Sequence, residues 1–155
     1  MTRREIAQAN FREGYNCSQS VLKAFEDVLP VDHETLMKLG SSFGGGMGRL
    51  REVCGAVSAM FMLEGMWEGY ATPETGEVKK AHYARIQRLA KEFEEKHGSI
   101  LCRNLLNLPE GASEPEPEAR TEAYYQSRPC LTLIGDVAEM LEKILREQGE
   151  ETCGS

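Results

Sequence analysis

Four cysteines are the residues of this chain with the clearest capacity for chemistry. Each lies on the apolar side of a short segment with helical spacing, and the four positions are Cys17, Cys54, Cys102 and Cys130. Cysteine thiolates attack disulfides and bind metal ions. Three of the four fall in predicted first helical turns, where free backbone N–H groups and the helix dipole lower the pKa of a thiol. The pattern predicts one sulfur site assembled from separate helices.

The spacing of these cysteines leaves the type of sulfur site open. None of the four belongs to a C-x-x-C pair, which excludes the thioredoxin motif and the paired knuckles of zinc ribbons. Four thiolates from separate helices can form one or two exchangeable disulfides, for which no cofactor is needed. The same four can instead ligate zinc or an iron–sulfur cluster. A third alternative is a helical interaction module in which the cysteines are core residues.

Composition restricts the class of protein. The chain has 155 residues, of which 41% are hydrophobic, enough for one domain with one core. With 18 Lys and Arg against 25 Asp and Glu, a net charge of −7 and no basic block, we expect no nucleic-acid partner. The longest uncharged run, residues 53–63, is shorter than the ~20 apolar residues that span a bilayer. The chain starts without the apolar segment of a signal peptide, so we expect a cytoplasmic protein.

Hydrophobic periodicity predicts an all-α fold, because no segment shows the alternation of strands. A glycine run at 44–48 precedes a central apolar helix over about residues 49–66, and the other helices pack around it. We expect a single domain over 1–148 with an acidic, Pro-rich loop at about 109–120. A flexible tail at 149–155 carries Cys153, which we expect to take no part in the site.

Helix starts predict the role of two cysteines. Cys17 follows Asn16, a residue typical of N-caps, and Cys130 follows Pro129, a residue typical of first helical turns. Arg128 adds positive charge beside Cys130. Both thiols are therefore expected to have low pKa values and to be the attacking groups.

The remaining positions complete the predicted site. Cys54 is expected one turn inside the central helix, at the centre of the site, where small neighbours let another backbone approach. Cys102 is the expected resolving thiol. Glu64, on the same central helix, is a candidate acid–base group for thiol chemistry.

The cysteine pattern resembles that of a known family. The segments Asn16-Cys17-Ser18-Gln19 and Cys54-Gly55-Ala56-Val57-Ser58, the glycine run between them and the single cysteines at 102 and 130 are similar to the redox-active protein family named for its C_GCAxxG_C_C pattern. The resemblance covers most of the chain and departs at Ala59, where the motif has a glycine. It implies that the four cysteines are the defining residues of a small redox protein, and it implies a link to transport functions.

The predicted function is thiol–disulfide electron transfer by the four cysteines, as in a thiol–disulfide oxidoreductase. The expected partner is a redox protein or a small thiol, and a homo-oligomer is left open. The alternative is a zinc-binding protein or an iron–sulfur electron carrier with the same four cysteines as ligands.

Overall fold

The protein is all-α, as the periodicity predicts. The computed structural model describes residues 1–73 and 75–154, with side chains described as far as 149. Within these ranges the only extended pairing is an isolated antiparallel bridge between Val53 and Leu101. A 3₁₀ turn spans Glu26–Val28. The helices are α1 (Arg3–Arg12), α2 (Cys17–Lys23), α3 (His33–Ser41), α4 (Gly44–Met47), α5 (Gly55–Glu68), α6 (Gly76–His97), α7 (Cys102–Leu105), α8 (Glu122–Ser127) and α9 (Cys130–Gly154).

Local side-chain caps fix several helix starts. At α2, the Asn16 side chain accepts a hydrogen bond from the Gln19 N–H at 2.8 Å, and the Gln19 side chain accepts one from the Asn16 N–H at 3.1 Å. This reciprocal capping box satisfies two N–H groups at the helix start. At α3, the Asp32 carboxylate accepts a single hydrogen bond from the Thr35 N–H at 3.0 Å. The capping box makes Cys17 the first residue of α2.

Helix α5 is central and packs against α2, α4, α6 and α9. Its first half is buried on every side because its residues are small there. A Cβ added at Gly55 would lie 2.7 Å from the Phe43 carbonyl oxygen and 3.0 Å from Cys17 Cβ. Only glycine therefore lets α5 begin this close to α2. The core around it includes Phe11, Leu22, Phe25, Met60, Leu63, Phe93, Ile134 and Leu141.

The central helix begins later than predicted, at Gly55 rather than near Arg49. Arg49 and Arg51 have φ values of 65° and 63°, in the left-handed region, so the chain there cannot form a right-handed helix. Leu50, predicted to face the core, is 53% exposed. Cys54 is the N-cap of α5 instead of lying one turn inside it.

The C-terminal part also differs from prediction. Helix α8 was not predicted, and residues 108–121 before it are irregular. The backbone of α9 is helical to Gly154, beyond the expected start of a tail at 149. The Cys153 side chain lies outside the described residues, so its exclusion from the site stays a prediction.

Among the helices of the described ranges, we find none with the length and apolar character needed to cross a membrane.

Candidate functional site

All four predicted cysteines line one cavity of about 290 Å³. Cys54, Cys102 and Cys130 are buried, Cys17 is partly buried, and all four are free thiols. Each lies at a helix start: Cys17, Cys102 and Cys130 are the first residues of α2, α7 and α9, and Cys54 is the N-cap of α5. The rest of the wall includes the glycine run, residues of the loop before α8 and apolar side chains such as Phe11, Leu105 and Ile134. Four separate segments thus converge on one sulfur-lined space.

A short backbone pairing places Cys54 beside the α7 segment. The Cys54 N–H donates to the Ile100 carbonyl at 2.8 Å, and the Cys102 N–H donates to the Glu52 carbonyl at 2.7 Å. These two bonds flank the bridge between residues 53 and 101. Because side chains alternate along extended backbone, Cys54 and Cys102 fall on the same face of the bridge.

The glycine run, which includes α4, forms a tight turn with left-handed backbone at Gly45 and Gly46 and approaches Cys102. Gly46 has a φ of 68°. A Cβ added there would lie 2.5 Å from Cys102 Cβ and 2.9 Å from both Arg51 Cα and the Glu52 backbone nitrogen. Such distances are too short for any side chain, so this wall of the site requires glycine.

Cys17 and Cys130 form the most polarised thiol pair in the cavity. A hydrogen bond from Cys17 lowers the pKa of Cys130, and the nearby charges of Arg128 and Arg120 lower it further, against the opposing effect of burial. The same hydrogen bond, together with burial, raises the pKa of Cys17 well above its ordinary value. The prediction of a low pKa is wrong for Cys17, because its interaction with Cys130 and its burial both favour the protonated form, whereas Cys130 has the arginines beside it.

The other two thiols are held in their protonated form. Burial raises the pKa of Cys54 to about 12, although backbone N–H groups of Ala56 and Val57 partly offset it. Burial also raises the pKa of Cys102, offset by a hydrogen bond from Arg51 Nη1 at 3.5 Å. Cys54 is thus shielded, as expected, while Cys130 is the described cavity thiol whose pKa is lowered.

Arginines surround the thiols, and the sequence analysis missed most of them. Those that line the cavity are Arg49, Arg51, Arg120 and Arg128, beside the carboxylate of Glu118. Arg128 was predicted as a basic neighbour. Arg103, predicted in the same role, is paired with Glu52 at 2.6 Å and is not among the lining residues. No local signal identified the others, because they come from segments distant in sequence.

Glu64 is not part of the cysteine cavity. It is buried on α5 and lies 3.2 Å from the Nε atom of Arg85, and it lines a second cavity between α5, α6 and α9. Burial raises the pKa of its carboxyl group. The structure therefore separates Glu64 from the thiols, and its candidacy as their acid–base partner is wrong.

A metal site was the alternative use of the four cysteines. Among the side chains that the structure describes, in residues 1–73 and 75–149, no group of three or more His, Cys, Asp or Glu is arranged to hold a metal ion.

We expect Cys17→Ala to slow alkylation of Cys130 at neutral pH. The variant removes the hydrogen bond that lowers the pKa of Cys130, so less thiolate is present at pH 7. Since a hydrogen bond to a charged group contributes about 1.5–3 kcal/mol, the rate should fall roughly tenfold or more. The pH profile of iodoacetamide labelling, mapped by mass spectrometry, measures it. Cys17→Ser keeps a donor and should lose less; equal rates in the alanine variant and the unmodified protein would contradict the assignment.

A comparison with known proteins identifies the family to which the chain belongs. The chain matches none of the curated proteins and none of the solved structures with which it was compared. Residues 15–144, which include all four cavity cysteines, match the family described as "Putative redox-active protein (C_GCAxxG_C_C)". The matched range covers well over half of the chain. The chain therefore belongs to the C_GCAxxG_C_C family of redox-active proteins.

Proposed function

We propose that the protein is a thiol–disulfide oxidoreductase. Its Cys17–Cys130 pair exchanges two electrons with a disulfide, which belongs either to a redox protein or to an oxidised small thiol. One observation carries the proposal: Cys17 and Cys130 line the same cavity. Their interaction there lowers the pKa of Cys130 and raises that of Cys17. An attacking thiol needs thiolate character and access to its substrate. A resolving thiol needs to be close by and to stay protonated until the attack is complete.

The reaction follows from this asymmetry. The Cys130 thiolate attacks one sulfur of the bound disulfide, whose S–S bond breaks, and the departing thiolate takes a proton. The Cys130 sulfur now carries no charge. Because the hydrogen bond to Cys130 and its charge helped to raise the pKa of Cys17, Cys17 loses its proton more readily at this stage.

Cys17 then attacks the Cys130 sulfur of the mixed disulfide. That bond breaks, the second substrate thiolate leaves and takes the Cys17 proton, and a Cys17–Cys130 disulfide remains. Two protein thiols have been oxidised and one disulfide has been reduced to two thiols. This assigns the resolving role to Cys17 rather than to Cys102, since Cys17 is the thiol hydrogen-bonded to Cys130.

We place this reaction in the cytoplasm, where small-thiol pools keep cysteines reduced and could regenerate the pair. The cavity volume of about 290 Å³ is at the lower end of the range for small-molecule sites. We propose a link to transport functions only through the family resemblance.

A single-turnover experiment tests the proposal. Protein purified without oxygen and fully reduced is mixed with one equivalent of hydroxyethyl disulfide. We expect two thiols per chain to be lost and peptide mapping to recover a Cys17–Cys130 disulfide. Stoichiometric zinc, or iron with visible absorbance, in the same preparation would instead support the metal-binding alternative. Unreactive thiols at all four cavity cysteines of the folded protein would support the core-residue alternative.

A further inference from the structure

Positively charged side chains outnumber negatively charged ones among the described residues that line the cysteine cavity. Four arginines line it, at positions 49, 51, 120 and 128, whereas Glu118 is the one carboxylate among the described lining residues. The whole chain has a net charge of −7, so this local excess of cations runs against the overall charge. Burying several guanidinium groups is costly unless anions compensate them. Arg51 is the extreme case, with a side chain that is 5% exposed.

Glu118 compensates three of these arginines incompletely. Both of its carboxylate oxygens accept hydrogen bonds from Arg128 Nη2, at 2.7 and 2.9 Å. The Nη2 atoms of Arg49 and Arg51 lie farther from the same carboxylate, at 3.9 and 4.0 Å. One carboxylate therefore sits among three guanidinium groups but makes close hydrogen bonds with only one of them.

Glu118 belongs to the Pro-rich loop, which borders the cavity. The Ser113 N–H donates to the Arg49 carbonyl at 2.9 Å, and Arg49 Nε donates to the Glu114 carbonyl at 2.5 Å. Arg51 Nε donates to Ser113 Oγ at 2.8 Å. These polar contacts hold an irregular segment, and Glu118 itself is exposed, with 38% of its side chain accessible. Its carboxylate is thus exposed and makes close hydrogen bonds to only one of the three arginines.

We propose that Arg49, Arg51 and Arg128 bind a carboxylate of the substrate in the position that Glu118 occupies, and that the substrate class is small disulfides bearing carboxylates. This inference rests on the thiol–disulfide exchange proposed above. Guanidinium groups bind carboxylates through charge-assisted, often bidentate hydrogen bonds. Arg51 also donates to Cys102 Sγ at 3.5 Å, so an anion held by these arginines lies next to the thiols.

Three disulfides of similar size test this inference. Dithiodipropionate is anionic, hydroxyethyl disulfide is neutral and cystamine is cationic. Single-turnover rates of the reduced protein are measured with each and divided by the rate of dithiothreitol with the same disulfide, which removes intrinsic reactivity. We expect the normalised rate to be roughly tenfold higher for dithiodipropionate than for hydroxyethyl disulfide, and lowest for cystamine. High salt should reduce this preference.

Two variants and one matched control locate the preference. Arg49→Gln should lower the ratio of the anionic to the neutral rate severalfold, and Arg49 is cleaner than Arg128 because it is not among the charges that act on Cys130. Glu118→Gln should raise that ratio, since it removes the competing carboxylate. Glu116→Gln makes the same charge change at an exposed position of the same loop and should leave the ratio unaltered.

The outcomes separate this inference from the function on which it rests. The decisive quantity is the ratio of the normalised rate with dithiodipropionate to that with hydroxyethyl disulfide. If the protein reduces hydroxyethyl disulfide but this ratio is near one, or is the same in both variants as in the unmodified protein, only the carboxylate site is overturned. Failure to reduce any of the three disulfides overturns the proposed function as well. If Arg49→Gln does not fold by circular dichroism, the ratio of the unmodified protein and its salt dependence still decide.

Discussion

Cys130→Ser is expected to end disulfide reduction by this protein, with a single-turnover rate lowered at least about a thousandfold. A serine hydroxyl stays protonated at neutral pH and cannot form the mixed disulfide. The favourable surroundings of Cys130, with a hydrogen bond from Cys17 and two arginines nearby, would then act on an unreactive oxygen. Stopped-flow detection of the released thiol measures the rate.

The matched control is the same substitution at Cys102, a second buried thiol of the cavity whose pKa is raised rather than lowered. Cys102→Ser should still form a mixed disulfide at Cys130, visible by mass spectrometry after acid quench. Cys17→Ala should accumulate that mixed disulfide, because its resolving thiol is missing. If Cys130→Ser kept its rate while Cys54→Ser lost it, the attacking role would pass to Cys54.

Gly46→Ala is expected to destabilise the protein by about 2–5 kcal/mol. A left-handed backbone costs a non-glycine residue about 1–2 kcal/mol, and overpacking adds about 1–3 kcal/mol. The new methyl group would meet Cys102 Cβ at 2.5 Å and backbone atoms at 2.9 Å, and backbone cannot rotate away as a side chain can. Urea unfolding followed by circular dichroism measures the free energy of unfolding.

Gly48→Ala is the control for this prediction. Gly48 has a similar φ of 62°, but a Cβ there would meet its nearest atom, the Ser42 carbonyl oxygen, at an ordinary 3.7 Å. It should therefore lose only the backbone contribution of about 1–2 kcal/mol. Equal losses in the two variants would mean that the approach of Gly46 to Cys102 is not a determinant of stability.

The sequence predicted the parts of the fold that depend on local interactions. The starts of α2 and α9 were predicted because Asn16 is a typical N-cap residue and Pro129 is typical of helix starts. The positions of Cys17 and Cys130 at helix starts followed from these starts. The periodicity of apolar residues likewise identified the central helix, whose apolar stripe is a property of one segment.

The segment before Gly55 was mispredicted because its structure depends on distant partners. Leu50, Val53 and Cys54 have the spacing of a helix, but backbone bonds to residues 100–103 hold the segment extended. The left-handed backbone of Arg49 and Arg51 gives no signal in the residue types, since arginine favours helices.

The charge distribution of the site could also not be predicted from the sequence. The pKa of Cys17 depends on its contact with Cys130, and the arginine cluster depends on segments that meet only in the folded chain. A first-turn position alone predicted the same low pKa for both thiols. The hydrogen bond between them and the arginines beside one of them make the two unequal.

The bridge between residues 53 and 101 also affects which parts of the chain can change in length. The segment between these two residues can tolerate insertions and deletions that the bridge itself cannot. Backbone hydrogen bonds on either side of the bridge hold Cys54 and Cys102. The bridge pairs the two ends of the segment that contains α5 and α6. Insertions or deletions of whole helical turns in α6, far from the bridge, would change the length of this segment without moving its paired ends. The spacing between these two cysteines in sequence can therefore change while their spacing in space is preserved, and a family pattern that leaves this interval unspecified is compatible with one fixed site.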